Sequence, residues 1–280
     1  MAIITLSRGR FTGGRELAQC ISEKLGYTFL SREDIIDKTA LYGMSEEKLD
    51  RARRRRLGML QRMNLEWRRY LVYARAALTK EIQQGSLIYL GSNGRALLRH
   101  FPTMLNVKVV ADMEYRVNNL IKRTDYVIDR KRARELIKAI DEKKSSWQRK
   151  FHDTSWHDSS EFDLVVELDL MSIPEACDLI LTTLEHPQYQ GTQESLETID
   201  LLTFAAELRA RIAMEDDVQD DNVEVEVRDG KIAITGLVPS KEDMYGIVEL
   251  LDSEPEAEGA AKYFKTQTLQ PLQVPSGAPL

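Results

Sequence analysis

Three residues near the start of the chain have the types and spacing that could hold a phosphate group. Gly9, Gly14 and Arg15, in "LSRGRFTGGRELA" at residues 6–18, match a phosphate-binding pattern of two glycines, four intervening residues and a following basic residue. Glycines let the backbone approach a phosphate closely, and unpaired N–H groups at a helix start point at it. The usual lysine is absent, and Glu16 stands where a magnesium-binding Ser or Thr is expected. The pattern predicts an anion site, and a purely structural turn with a solvated arginine stays open.

The flanking residues predict the strand and helix that such a loop requires. "AIITL" is a short apolar run, and "GGRELAQCISEKLG" has apolar residues at helical spacing with a closing glycine. "SLIYLGS", "NVKVVAD" and "EFDLVVELD" are further strand candidates, each followed by a helical pattern. Strands that alternate with helices predict an α/β fold with a parallel sheet flanked by helices.

A long helical insertion is predicted at about residues 32–84, and it contains the basic run "RARRRR" at 51–56. Such a run could attract nucleic acid. Because no aromatic residues interleave with these charges, we favour a solvated helix face near a polyanionic ligand, and we do not expect nucleic acid as a partner.

The charge distribution divides the chain into two parts. The formal net charge of −6 combines +6 in residues 1–186 with −12 in residues 187–280. "EHPQYQGTQES" at 185–195 has the composition of a linker. Beyond it, a helix, a hairpin pattern around Asp229-Gly230, a helix near 240–252 and the strand candidate "AKYFKTQTL" predict a small α+β domain at 196–268. The ending, residues 269–280, is expected to be disordered.

Several classes of protein are not indicated. No apolar run of about 18 residues and no signal-peptide pattern occur, so we expect a cytoplasmic protein without a membrane span. Cys20 and Cys177 are interpreted as small buried side chains, since they show no disulfide or metal spacing. His152 and His157 lack ligand spacing, and we predict no metal site built from protein ligands alone.

Residues 1–184 resemble the cytidylate kinase-like family in an ordered series of motifs. The match begins with "ITLSRGRFTGGRELAQCISEKLGYTFLSREDI" and continues through "LIYLGSNGRALL", "NVKVVADMEYRV", "RARELIKAIDEKKSSWQRKF" and "SSEFDLVVELDLMSIPEACDLIL". That family itself lacks the phosphate-loop lysine. The resemblance implies a P-loop kinase domain at 1–186 that passes the γ-phosphate of ATP, with Mg²⁺ brought by ATP, to a nucleoside monophosphate such as CMP.

The resemblance also implies roles for individual residues. Those on the family's phosphate loop, expected to bind ATP, are Ser7, Arg8, Thr12, Gly13, Gly14 and Arg15. Those expected to bind the acceptor are Arg32, Arg95, Arg116 and Asp141. Those expected to surround the transferring phosphoryl group, as the catalytic residues, are Arg15, Arg123, Lys144 and Arg149.

Four departures from the family pattern bear on activity. Phe11 replaces a glycine of the loop and is expected to crowd the phosphate. Gly91-Ser92-Asn93 replaces a motif that contains arginine, Lys144 stands where arginine is usual, and Glu167 replaces a frequent asparagine. Lysine keeps the charge but loses the planar, two-pronged grip of arginine. Two functions therefore stay open: an active kinase, or a catalytically impaired nucleotide-binding regulatory or scaffold protein.

The second domain, at 196–268, resembles the BON domain through its hairpin. The matching residues are Val223, Val225, Val227, Asp229, Gly230, Ile232, Ile234, Gly236 and Val238. The resemblance implies docking to a protein partner or self-association. Binding to anionic lipid is not expected, because the charge of −12 in residues 187–280 would be repelled.

Overall fold

A computed structural model describes residues 1–43, 60–91, 94–123, 127–151, 162–215, 222–253 and 261–266, with the side chains of 60–66, 146–151 and 261–266 excepted. The chain divides into two compact units: Met1–Leu41 with Ala77–Asp200, and Tyr42–Ala76 with Leu201–Leu280. Part of the helical insertion predicted at 32–84 thus belongs to the second unit. The basic run 51–56, the tail 269–280, His152 and His157 lie outside the described residues.

The described chain alternates strands and helices through its first part, as the sequence predicts. The strands are β1 (Ile3–Arg8), β2 (Thr28–Ser31), β3 (Leu87–Leu90), β4 (Met104–Val110), β5 (Leu164–Glu167), β6 (Val223–Arg228), β7 (Lys231–Val238) and β8 (Ala261–Thr266). The α-helices are α1 (Gly14–Leu25), α2 (Arg32–Thr39), α3 (Leu60–Gln83), α4 (Gly94–Leu97), α5 (Met113–Arg123), α6 (Arg130–Phe151), α7 (Ile173–Leu184), α8 (Gln193–Met214) and α9 (Lys241–Asp252).

The first unit contains a parallel sheet with the strand order β2-β3-β1-β4-β5. One face of the sheet is apolar and packs against α1 and α7. Its buried side chains include Ile4, Leu6, Ile88, Val107 and Val109. Because all the strands run in the same direction, their carboxyl ends lie along one edge, where loops can build a ligand site. The predicted parallel α/β class is confirmed.

The strand β2 was not predicted from the sequence. It has only four residues, "TFLS", and it forms an edge of the sheet, where it pairs with β3 alone. It leads directly into α2, whose start is capped by Ser31 and Asp34 in a reciprocal capping box. So short a strand lacks the periodicity that separates a strand from a helix in sequence.

The segment interpreted as a linker is folded where the chain leaves the sheet. Pro187–Tyr189 forms a short 3₁₀ helix, and Tyr189 is buried in the core cluster of the first unit. Gln190 donates a side-chain hydrogen bond to the Leu184 carbonyl at 2.5 Å. The polar composition of residues 185–195 therefore did not predict that Tyr189 is buried in the core.

The second unit contains the predicted hairpin and a third strand. β6 and β7 are antiparallel, and Asp229 and Gly230 both adopt positive φ, which suits a tight two-residue hairpin turn. β8 pairs with β7 in parallel. The core is formed by one face of α8, the hairpin and α9, with Leu208, Ile234 and Leu251 fully buried. The small α+β unit expected at the end of the chain is thus present. No helix in the described residues is both long enough and apolar enough to cross a membrane.

Candidate functional site

The glycine-rich turn lies where the sequence predicts it, between the end of β1 and the start of α1. Gly13 is the N-cap of α1 with φ of 90°, and no side chain caps this end. A Cβ at Gly13 would lie 3.1 Å from Leu168 Cδ1, and one at Gly14 would lie 2.6 Å from Arg8 Cδ. The glycines therefore allow a backbone conformation and a close approach that a side chain would obstruct. The first N–H groups of α1 lack intrahelical partners, as in any helix.

Four consecutive loop carbonyls, those of residues 8–11, each accept a hydrogen bond from a side chain. The pairs are Lys144 Nζ to Arg8 O at 2.7 Å, Thr12 Oγ1 to Gly9 O at 3.1 Å, Arg116 Nε to Arg10 O at 2.9 Å, and Asn119 Nδ2 to Phe11 O at 3.0 Å. In a trans peptide the N–H of the next residue points opposite to the carbonyl. Each N–H group of residues 9–12 is therefore directed away from the side chain that holds the preceding carbonyl, an orientation compatible with a backbone anion site.

Arg116 and Asp141 form a two-pronged ion pair beside this loop. Nη1 and Nη2 of Arg116 donate to the two carboxylate oxygens of Asp141, both at 2.8 Å, and the side chains are 9% and 29% exposed. With Nε bonded to the Arg10 carbonyl, each nitrogen of this guanidinium has a partner within the protein. A Cβ at Gly9 would lie 3.5 Å from Arg116 Cζ, which is an ordinary van der Waals contact, so the guanidinium lies directly against the loop.

Lys144 lies on α6 with its amine at the end of β1. Burial and, to a smaller extent, the neighbouring Arg8 guanidinium lower the pKa of this amine to about 7, although Asp141 acts in the opposite direction. Burial and the Arg10 charge also lower the pKa of Arg8. Arg8 Nε is buried without a hydrogen-bond partner among the described residues. The cations next to the loop are therefore poorly solvated, and an added anion would stabilise their charged forms.

Arg123 and Glu16 are paired with each other. Arg123, at the end of α5, donates a hydrogen bond to Glu16 Oε1 in the first turn of α1, and both side chains are partly exposed. Arg15 is exposed at the same helix start. Arg15 is thus an exposed residue of α1, whereas the Arg123 guanidinium is bonded to the Glu16 carboxylate.

The remaining expected residues lie at the carboxyl edge of the sheet or outside the description. Ser7 is buried in β1, Arg32 begins α2 immediately after β2, and Arg95 is exposed on α4, after β3. Arg149 belongs to α6, but its side chain lies outside the described residues. The structure thus brings Arg116, Asp141 and Lys144 to the loop, and it leaves Arg32 and Arg95 on neighbouring strand ends.

The expectation that Phe11 crowds the phosphate is not supported by its packing. Phe11 has φ of 65°, and its ring packs against an apolar cluster of α5 and α6. That cluster contains Val117, Leu120, Ala133 and Ile137. The two helices thus accommodate the ring, and the Asn119 hydrogen bond holds the Phe11 carbonyl.

Two residues near the site were missed in the sequence. Asn119 lies three positions after Arg116 on α5, so helical spacing could have identified it as a neighbour on the same face. Lys108 is buried in β4, in register with Ser7, with its amine 5.5 Å from the centre of the Phe162 ring. In the sequence, Lys108 could have been identified as a lysine within the otherwise apolar strand pattern "NVKVV". The described residues contain no cluster of three or more Cys, His, Asp or Glu side chains suited to a metal ion.

The chain has recognisable relatives. The profile of the cytidylate kinase-like family matches residues 3–170. Among solved structures, an uncharacterized protein from Eubacterium ventriosum has a TM-score of 0.52 and 16% identity, over 66% of this chain and 99% of that chain. No curated protein matches.

More distant solved structures include two small-molecule kinases. A gluconokinase from Sinorhizobium meliloti has a TM-score of 0.42 and 13% identity, over 67% of this chain and 93% of that chain. A shikimate kinase from Acinetobacter baumannii, in complex with shikimate, has a TM-score of 0.38 and 11% identity, over 68% and 96%. At these scores neither carries an argument about this chain. Because the family profile spans more than half of the sequence, and the matched residues form the predicted sheet and phosphate loop, the chain belongs to the cytidylate kinase-like family.

Proposed function

We propose that the first unit binds ATP at the phosphate loop and transfers its γ-phosphate to a nucleoside monophosphate, with CMP as the expected acceptor. The observation that carries this proposal is the set of four loop carbonyls held by side chains. A loop held in this way presents N–H groups to an anion before the anion arrives, so little ordering remains to be paid for on binding.

Phosphoryl transfer requires positioning and positive charge more than covalent chemistry. In this proposal Arg15, exposed at the start of α1, contacts the phosphates, and the helix N-terminus adds its dipole. Arg116, Asn119 and Lys144 act as positioning residues, because their donors are bonded to the loop. The bound phosphates also raise the pKa of Lys144, so the amine is protonated in the complex.

ATP carries a magnesium ion into sites of this type, and the residues at the loop fit such an ion. Mg²⁺ usually takes one or two carboxylates together with substrate phosphates and water. Glu16 offers a carboxylate in the first turn of α1, and its Oε2 is buried without a hydrogen-bond partner among the described residues. When bound, the ion neutralises charge on the phosphates.

The acceptor is proposed to bind along the carboxyl edge of β2 and β3. Arg32 and Arg95 follow these two strands, which lie on one side of β1 in the sheet. Arginines there could hold the phosphate of a monophosphate in a two-pronged manner. Arg116 is less suited to this role than the sequence predicts, since its three nitrogens already donate to protein oxygens.

That engagement of cations also favours a second candidate function. With Arg116 bonded to Asp141 and Arg123 to Glu16, two of the expected phosphate-contacting cations are neutralised by carboxylates of the chain. A protein in this state could bind nucleotide without transfer and act as a regulatory or scaffold module. Its output would pass through the second unit, whose hairpin resembles the BON domain, to a protein partner or a second copy.

A turnover assay distinguishes the two candidates. ADP release is measured with ATP, Mg²⁺ and a panel of nucleoside monophosphates, in the full-length chain and in Arg15→Ala. Arg228→Ala, on the hairpin of the second unit, is the matched control for loss of an exposed arginine. Turnover that is lost in Arg15→Ala and kept in Arg228→Ala supports the kinase. ATP binding without turnover on any acceptor supports the scaffold.

A further inference from the structure

Glu16 occupies an unusual environment for a carboxylate in the first turn of a helix. It is the third residue of α1, from which such a side chain commonly folds back to cap the helix start. No side-chain cap is present at Gly13. Arg123 holds Oε1 from α5, and Oε2 is buried without a hydrogen-bond partner among the residues described. One oxygen is thus fixed and the other lacks the partner that a buried carboxylate oxygen normally has.

The position of Glu16 relates this oxygen to the phosphate loop. In the pattern G-x-x-x-x-G followed by a basic residue, the next position carries the hydroxyl that binds magnesium. Gly9, Gly14 and Arg15 place Glu16 at that position. A carboxylate beside bound phosphates would repel them unless a cation lies between, and the single charge of Arg123 offsets only the charge of Glu16 itself.

We propose that Glu16 is the protein ligand for the divalent cation that accompanies ATP, with Oε2 as the coordinating atom and Arg123 as the residue that positions it. This inference rests on the proposed nucleotide site. The remaining ligands of the ion are phosphate oxygens and water, which is the ligand set that Mg²⁺ prefers. Because a carboxylate is charged, its replacement of a hydroxyl makes nucleotide binding depend strongly on the metal.

The test is the coupling between Mg²⁺ and ATP, measured by titration calorimetry without turnover. ATP affinity is determined with excess Mg²⁺ and with EDTA, for the unaltered chain, Glu16→Gln and Glu23→Gln. Glu23 is an exposed glutamate near the other end of α1 and serves as the control. Paramagnetic Mn²⁺, followed by its resonance signal with ATP present, reports the metal directly.

We expect Mg²⁺ to strengthen ATP binding in the unaltered chain and in Glu23→Gln, and this gain to fall by about tenfold or more in Glu16→Gln. ATP binding in EDTA should be equal or tighter in Glu16→Gln, since a negative charge is removed. That binding also shows that the variant is folded. If Glu16→Gln does not fold, Glu16→Asp is the variant to measure. It retains a carboxylate, so it should keep part of the gain in ATP affinity that Mg²⁺ gives to the unaltered chain.

Two results overturn the inference and can be told apart. If Glu16→Gln tightens ATP binding equally with Mg²⁺ and with EDTA, Glu16 only repels phosphate and is not a metal ligand. The nucleotide site then stands. If the unaltered chain binds ATP in neither condition, the proposed function fails together with this inference.

Discussion

The partly buried ion pair between Arg116 and Asp141 is expected to make a large contribution to the stability of the first unit around the phosphate loop. Arg116→Met removes a guanidinium that is 9% exposed and leaves Asp141, 29% exposed, without its partner. Breaking a buried pair from one side costs about 3–5 kcal/mol. Because water screens the exposed part of Asp141, we expect a loss of about 2–4 kcal/mol in the free energy of unfolding.

The measurement is urea unfolding followed by far-UV circular dichroism, with a surface pair as control. Glu114 also forms ion pairs, with Arg130 and with Arg134, but the side chains of the three residues are 48%, 57% and 46% exposed. Glu114→Gln should therefore change the free energy of unfolding by no more than about 1 kcal/mol. The double variant Arg116→Met with Asp141→Asn should be less destabilised than the sum of the two single variants, because the second change removes the charge left unpaired.

The reasoning is refuted if Arg116→Met costs no more than the surface control, or if the two single effects simply add. Either result would mean that the pair is solvated in solution and does not hold the loop. A loop that is no longer held should also lose ATP affinity, so calorimetry on the folded variant gives an independent readout of the same contact.

Three further predictions concern the loop and its partners. Gly13→Ala should cost about 1–3 kcal/mol of stability and abolish ATP binding. Gly26 also has positive φ, but no atom lies within 4 Å of the position of its Cβ, so Gly26→Ala should cost less stability and keep ATP binding. Equal melting temperatures of the two variants would contradict this prediction. The pKa of Lys144 is lowered from 10.5 to about 7 in the folded chain, so between pH 7 and 10.5 the unfolded chain binds one more proton than the folded chain. The melting temperature should therefore rise with pH across that range, and Lys144→Met should lack this rise. Asn119→Ala should weaken ATP binding, while its neighbour Asn118→Ala, which loses only an exposed contact to an arginine, should not; the opposite order in calorimetry would show that the loop carbonyl does not need its donor.

Local sequence determines the elements of this protein where short-range physics is sufficient. Apolar runs before helical patterns predicted β1, β3, β4 and β5, because the strands of a parallel sheet flanked by helices are rich in apolar residues. Asp229-Gly230 predicted its hairpin because both residues tolerate positive φ. The spacing of Gly9, Gly14 and Arg15 predicted a glycine-rich turn between a strand and a helix, and that turn is present between β1 and α1. β2 and Tyr189 were missed, since an edge strand of four residues and a single buried aromatic leave no periodic pattern.

The partners of the charged residues depend on contacts between distant parts of the chain. Arg116 reaches the Arg10 carbonyl across 106 positions, Lys144 reaches Arg8 across 136, and Arg123 reaches Glu16 across 107. The family resemblance predicted that these cations lie near a phosphate site. A long side chain on a helix can contact several neighbours, however, and the packing of α5 and α6 against the loop selects one. That packing turns the expected phosphate-binding cations toward loop carbonyls and carboxylates, because a buried guanidinium or amine must find hydrogen-bond acceptors within the fold.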